Sequence, residues 1–360
     1  MTDTSFRYDP PPVHVVFGYG TKGCVGDELD RLGRRRALVL TTRQQEDQGH
    51  GLRDFLGQRC VGLFSEAAPH TPTNTTERAL SVLKESNADC VVSLGGGSTI
   101  GLGKALALRI DQICIPTTYA GSEMTPILGE TSDGRKTSLR SEKVLPEVAI
   151  YDVELTMNLP VSMSAASGMN AIAHAAEALY ARDRNPVVSM MAEESIRGLS
   201  EALPLLLTDM TDVAVRTTAF RSAWLAGLCL GSVGMSLHHK LCHVLGGSFD
   251  LPHAETHSII LPHAIAYNAR SAPEAIYRMG RALGGGNPSE TLFDLLRRLK
   301  LPTSLKQIGF KATDIEKAAA IAVQNPYWNP RPVELDGVRD LIASAYEGHL
   351  YKPKDEQFSA

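Results

Sequence analysis

Surplus charge, long apolar runs, paired cysteines and repeats are all missing from this 360-residue chain, and each absence removes a class of function. A formal net charge of −4 supplies no basic field to hold a polyanion, which argues against a nucleic-acid partner. No apolar stretch reaches the roughly eighteen residues needed to cross a bilayer, so no membrane partner is expected. The six cysteines (Cys24, Cys60, Cys90, Cys114, Cys229, Cys242) include no CxxC pair. Several lie in apolar runs where a thiol behaves as a small hydrophobe, so a reducing, cytoplasmic setting is expected. Residues 1–12 are polar and proline-rich and are not expected to act as a secretory signal. Neither an internal repeat nor a low-complexity tract is present.

What remains has the composition of a globular protein long enough for two domains. Short apolar runs at 13–17, 36–40, 60–64, 90–94 and 112–116 alternate with helix-like stretches at 25–33, 74–86 and 99–108. That alternation predicts an α/β domain with a mostly parallel, doubly wound sheet over residues 1–158. From about residue 159 apolar residues recur at three and four over 165–181, 187–207, 213–230, 235–246 and 290–299. An all-helical domain over 159–360 is the natural interpretation.

A standard GxGxxG dinucleotide fingerprint is also absent. In its place Gly95-Gly96-Gly97-Ser98 leaves a strand and enters a helix, where bare glycine backbone and the positive end of a helix dipole can receive a pyrophosphate. The same glycines would also serve a plain tight turn. Thr117 and Thr118 at the next strand end offer hydroxyls to the same crevice, or simply make a polar loop. Tyr119 beside them either caps a nicotinamide pocket or packs. The second strand ends without the acidic residue that repels a 2′-phosphate. Thr41-Thr42-Arg43 stands there instead, and hydroxyls with a nearby cation accommodate both NADH and NADPH.

Five of the eleven histidines fall within residues 237–257: His238, His239, His243, His253 and His257. On a helix, His239 and His243 share a face, and the Gly246-Gly247 and Leu251-Pro252 steps bring a loop carrying His253 back beside them. Imidazole there serves equally as metal ligand, proton donor or anion partner. Asn170 and His174, four residues apart, share a face of another predicted helix.

Taken together, Gly95-Gly96-Gly97-Ser98, Pro116-Thr117-Thr118, the Asn170/His174 helix and the histidine stretch resemble the iron-containing alcohol dehydrogenase family, which shares its fold with dehydroquinate synthase. The likeness runs in order from Gly18 to about Tyr346. It implies a metal site at the positions of Asn170, His174, His239 and His253, a proton relay at His243, a cofactor contact at Lys136, and a homodimer. Two departures qualify this. The family's aspartate ligand is Asn170 here, and the aspartate after the glycine turn is Gly101. An amide in place of a carboxylate removes the one anionic ligand, so metal-independent chemistry is expected, with those positions vestigial.

The departures, with the runs at 95–104 and 325–332, resemble a branch of the family that reduces a carbon–carbon double bond in a small unsaturated keto-dicarboxylate during aromatic-ring degradation. That likeness implies His239, His243 and His253 as hydrogen-bond donors and proton source. Asn170, His174, His238, Tyr119 and Arg331 are the candidate substrate contacts, with Arg331 gripping a carboxylate or lying on the surface. His257 and His263 are expected to be structural. The competing expectation is a metal-dependent alcohol or aldehyde dehydrogenase of the same family.

Overall fold

The structure, a computed structural model, describes residues 5–132 and 135–353, with no side-chain detail at 135 and 136. Two compact units are formed, residues 9–160 with 209–232, and residues 161–208 with 233 onward and the few before residue 9.

In the first unit the chain runs β1 (His14–Gly18), α1 (Val25–Arg31), β2 (Ala37–Leu40), α2 (Glu46–Leu56), β3 (Cys60–Phe64), α3 (Thr73–Glu85), β4 (Cys90–Gly95), α4 (Gly97–Ala107), β5 (Asp111–Pro116), β6 (Ile127–Ser132), β7 (Arg135–Arg140) and β8 (Val148–Asp152). Six of these strands make one parallel sheet in the order β1-β8-β5-β4-β2-β3. β2, β4 and β8 are buried along their whole length, which is why they read as near-continuous apolar runs and not in alternation. β8 and the antiparallel β6–β7 hairpin were not expected from the sequence pattern. β8 sits between β1 and β5.

The second unit is helical: α5 (Val161–Tyr180), α6 (Pro186–Leu205), then, after α7 (Val213–Ser232) of the first unit, α8 (Leu237–Phe249), α9 (His253–Asn268), α10 (Pro273–Ala282), α11 (Pro288–Arg298), α12 (Ile315–Val323) and α13 (Leu335–Glu347). α5 and α9 are buried almost all round, as apolar and small residues on every face require.

α7 departs from the expectation of one continuous helical domain over 159–360, since it packs with the sheet unit. Two glycines allow it. A Cβ on Gly231 would stand 2.0 Å from the Met124 carbonyl oxygen, and one on Gly227 would stand 3.1 Å from the Gly121 backbone. No helix among the described residues is long and apolar enough to cross a membrane. None of the six cysteines forms a disulfide.

Candidate active site

The histidine cluster is assembled by α5, α8 and α9, and its anchor is Glu177, a residue fully buried on α5. α8 begins without a side-chain cap from Ser236, so its first amides need another acceptor. Glu177 supplies it: the Ser236 amide donates to Oε2 at 2.7 Å and the His238 amide to Oε1 at 2.8 Å. His239 Nδ1 lies 2.8 Å from Oε2, and the Tyr180 hydroxyl donates to Oε1 at 3.4 Å. Two oxygens therefore face three definite donors and the His239 Nδ1, a set that an ionised carboxylate satisfies in full. Burial pushes the Glu177 pKa up, while the His238 ring and the backbone amides pull it back.

This arrangement bears on the tautomer of His239. With Glu177 accepting from Nδ1–H, the neutral ring carries no proton on Nε2, and that atom is buried without a partner. Burial, then the neighbouring His243 and His253, hold the His239 pKa well below the usual histidine value. In that tautomer the outward nitrogen of His239 is a lone pair, and the hydrogen-bond donation expected of it belongs to the other tautomer.

His174 stacks on His239 with ring centroids 5.2 Å apart, and burial keeps it neutral as well. Asn170, one turn earlier on α5, is also buried. His253 does not sit on a loop as expected; it opens α9, exposed, with its ring 4.2 Å from that of buried His257. His243, one turn beyond His239, is exposed, and its Nδ1 lies 3.0 Å from the Tyr327 hydroxyl.

Several expected contacts are committed elsewhere. His238 is fully buried and its Nε2 lies 3.0 Å from the His257 carbonyl oxygen, which makes it a packing residue. Burial lowers its pKa to about 4. Tyr119 is fully buried, packs on Phe220 at 5.9 Å and accepts from Arg216 Nη1 at 3.3 Å, so it lines no substrate pocket. The guanidinium of Arg331 stacks 4.3 Å over the Tyr267 ring and donates to the Tyr267 carbonyl at 3.3 Å, where it braces α9. His263 is structural as expected, its Nδ1 accepting the Tyr351 amide at 3.2 Å.

In the sheet unit, Gly95 and Pro116 are register partners and the Thr117 amide donates to the Gly95 carbonyl at 3.1 Å, so the glycine turn and the threonines share one edge. Gly95 has φ 155°, and a Cβ there would meet Thr99 Oγ1 at 2.4 Å. Gly97 opens α4 with nothing within 4 Å of a would-be Cβ. Together with the helix's first-turn amides and Ser98, this open backbone is the shape a pyrophosphate cradle needs. Thr118 crowds Gly96 at 3.0 Å, and Gln45 Nε2 donates to the Thr117 hydroxyl at 3.0 Å. Thr41 is fully buried beside Gly49, which removes it from ribose contact, whereas Thr42 is half-buried and Arg43 exposed, 3.9 Å from Glu66. The side chain of Lys136 lies outside the described residues.

Whether a divalent ion suits the histidine cluster is decided by the donors left over. Asn170 Oδ1, His174 Nδ1, His239 Nε2 and both ring nitrogens of His257 are buried without partners, and all are neutral. His238, His239 and His257 bring ring nitrogens within 4.8 Å of one another, but His238 is held by its carbonyl contact. Such a set fits a borderline ion such as zinc, with Glu177 behind His239 raising its basicity, and fits poorly a hard ion that requires carboxylate oxygen.

Two site residues escaped the sequence reading. Glu177 was legible as the third member of the series 170, 174, 177, which shares one helix face. Tyr327 lay within the run 325–332 without a role.

The chain resembles known proteins along almost its whole length. The pattern of the iron-containing alcohol dehydrogenase family matches residues 12–153, and that of the C-terminal part of the Fe-containing alcohol dehydrogenase family matches residues 164–346. A maleylacetate reductase of Sphingobium indicum is 54% identical over 345 residues, 95% of this chain and 98% of that one. The crystal structure of maleylacetate reductase from Agrobacterium tumefaciens superposes with a TM-score of 0.93 at 54% identity, covering 96% of this chain and 99% of that one. That of Rhizobium sp. strain MTP-10005 gives 0.93 at 52%, covering 98% and 100%.

Proposed function

The chain belongs to the iron-containing alcohol dehydrogenase family, and from that premise we propose that it reduces the carbon–carbon double bond of maleylacetate to give 3-oxoadipate, a step in aromatic-ring degradation. The observation that carries the reading is 54% identity to a maleylacetate reductase over nearly the full length of both chains. The protein acts in this reading as a cytoplasmic homodimer, which light scattering of the purified protein checks.

When bound, NADH or NADPH would supply a hydride to the alkene carbon β to the ketone, and negative charge would then build on the ketone oxygen as an enolate. The open backbone at Gly97 and Ser98 receives the cofactor's pyrophosphate, with Thr117, Thr118, Thr42 and Lys136 as further contacts. Exposed Arg43 accommodates a 2′-phosphate, which is the basis for use of both cofactors.

In the helical unit the enolate needs donors and then a proton on carbon. Asn170 supplies an amide N–H where an aspartate could only accept. His253, exposed at the first turn of α9, donates to the anionic substrate with the helix's positive end behind it. His243 delivers the proton, the general-acid role. His174 and His239, buried and neutral, add no negative charge against a dicarboxylate. If an ion were bound, His174, His239 and His257 would hold it and it would polarise the ketone oxygen, but the donors named above serve the reduction without one.

Oxidation of NADH by maleylacetate, followed with and without a chelator alongside metal analysis, tests the reading. Equal rates at negligible metal content are expected. Loss of activity with the chelator and its return with zinc or iron would establish the metal-dependent alternative. No oxidation under any condition would remove maleylacetate as the substrate.

A further inference from the structure

A neutral imidazole makes a poor single proton donor toward an enolate carbon, because losing Nε2–H alone would leave an imidazolate. The proton-delivery role of His243 therefore requires a second group that protonates Nδ1 as Nε2–H leaves. Tyr327 occupies that position, its hydroxyl 3.0 Å from His243 Nδ1.

The direction of this hydrogen bond comes from its surroundings. Burial, then the charge of Glu177, raises the Tyr327 pKa, so the phenol keeps its proton. A phenol is a better donor than acceptor and a neutral ring nitrogen a good acceptor, so Tyr327 donates to Nδ1 and the imidazole's proton resides on Nε2. The Lys240 ammonium lies 5.7 Å from the Tyr327 ring centroid, where it favours negative charge developing on the phenol. Tyr327 is 38% exposed, within reach of solvent that can restore its proton.

The segment is also held firmly enough to aim the hydroxyl. Asn329 and Asn268 exchange side-chain hydrogen bonds at 2.9 and 2.7 Å, and Asn329 Nδ2 also donates to the Arg331 carbonyl at 2.7 Å. Asn325 turns the chain at φ 49°, a left-handed conformation that asparagine tolerates, and Pro326 and Pro330 each fix a backbone φ angle on the two sides of Tyr327.

We propose that Tyr327 is a positioning residue that fixes His243 with its proton on Nε2 and refills Nδ1 during the reaction. The inference rests on the reductase reading above. In the step, the His243 Nε2–H bond breaks as the new C–H bond forms at the enolate carbon. The Tyr327 O–H bond breaks as Nδ1–H forms. The imidazole ends neutral in the other tautomer, the phenolate is left beside Lys240, and a water proton resets both. No oxidant or reductant beyond the hydride donor is required.

Tyr327→Phe keeps the ring against Lys240 and removes only the hydroxyl. Turnover is expected to fall about 100-fold, with NADH affinity and melting temperature unchanged. The isotope effect from NADH deuterated at C4 should fall toward unity while the solvent deuterium effect rises, because proton delivery becomes limiting. A merely structural role would leave that ratio alone. Turnover within twofold of the parent, or unaltered isotope effects, would overturn the proposal. Nitrogen-15 spectra of histidine-labelled protein without substrate give an independent readout. The parent should show His243 protonated at Nε2 and Tyr327→Phe a mixture of tautomers. A parent ring protonated at Nδ1 refutes the proposal even if maleylacetate is reduced. A parent that fails to reduce maleylacetate while showing the Nε2 proton refutes the substrate reading instead.

Discussion

His239 and His243 stand one turn apart on α8, their rings 6.2 Å between centroids, yet they have opposite chemistry. His239 is buried against the Glu177 carboxylate, and with that carboxylate accepting from Nδ1–H its Nε2 is a lone pair. His243 is exposed beside the Tyr327 phenol, and in the proposed arrangement that phenol donates to Nδ1 while the ring's proton stays on Nε2. Spacing alone treats the two as equivalent. The group behind each ring, and not the ring itself, determines whether it accepts or donates.

The comparison breaks first at His243. We expect His243→Asn to lower kcat about 1000-fold while NADH affinity, measured by fluorescence titration, stays unchanged. A kcat within a few-fold of the parent would leave the exposed histidine without its role. Next in size is Glu177→Gln. Whichever way the amide is turned, its NH2 meets the Ser236 or the His238 amide, donor against donor. A loss of about 3 kcal/mol of stability in urea titration is expected. A loss below about 0.5 kcal/mol would mean that Glu177 is already protonated in the folded protein.

Acid sharpens the same contrast. His238 stays neutral to about pH 4 and His263 to about pH 3, and burial lowers His174, His239 and His257 as well. Below pH 6.5 the unfolded chain binds protons that the folded chain does not. The stability contributed by these rings is thus complete above that pH and is lost as pH falls toward their folded values. Each contributes on the order of 1 kcal/mol per pH unit across its window. Melting temperatures between pH 7 and 5 should fall steeply, and a flat profile would show the rings to be protonated in the fold.

The α/β unit was legible because burial of its strands on both faces demands unbroken Val, Ile and Leu runs. β8 was the exception: Glu147 and the 3-10 turn before it obscure its apolar run Val-Ala-Ile-Tyr, and its partner β5 is more than thirty residues earlier. α7 looked like its helical neighbours, since nothing local in a small-residue helix says which unit Gly227 and Gly231 will approach. In the site, helical period put Asn170 with His174 and His239 with His243 on shared helix faces, and the structure stacks His174 on His239. It could not reveal the partners of Glu177, because three of them lie about sixty residues away at the start of α8. It could not show that Tyr119 and Arg331 were already engaged either, since their partners Arg216 and Tyr267 are 97 and 64 residues distant.

Tyr119 provides the smallest and most discriminating test of buried against exposed polar groups. Its ring fills space against Phe220, and its hydroxyl is one acceptor for Arg216, a guanidinium that also donates to the Leu159 carbonyl at 3.0 Å and the Met210 carbonyl at 2.9 Å. Tyr119→Phe keeps the packing and removes that one acceptor from a buried cation. The expected cost is about 1 kcal/mol, a small drop in melting temperature, with kcat and the Michaelis constant for maleylacetate within twofold of the parent. Tyr327→Phe makes the same chemical change, loss of one phenolic oxygen, with the opposite expected outcome of unchanged stability and lost turnover. If Tyr119→Phe instead raised the Michaelis constant tenfold, the buried phenol would have to reach substrate after all. The division between interior and reacting hydroxyls would then fail.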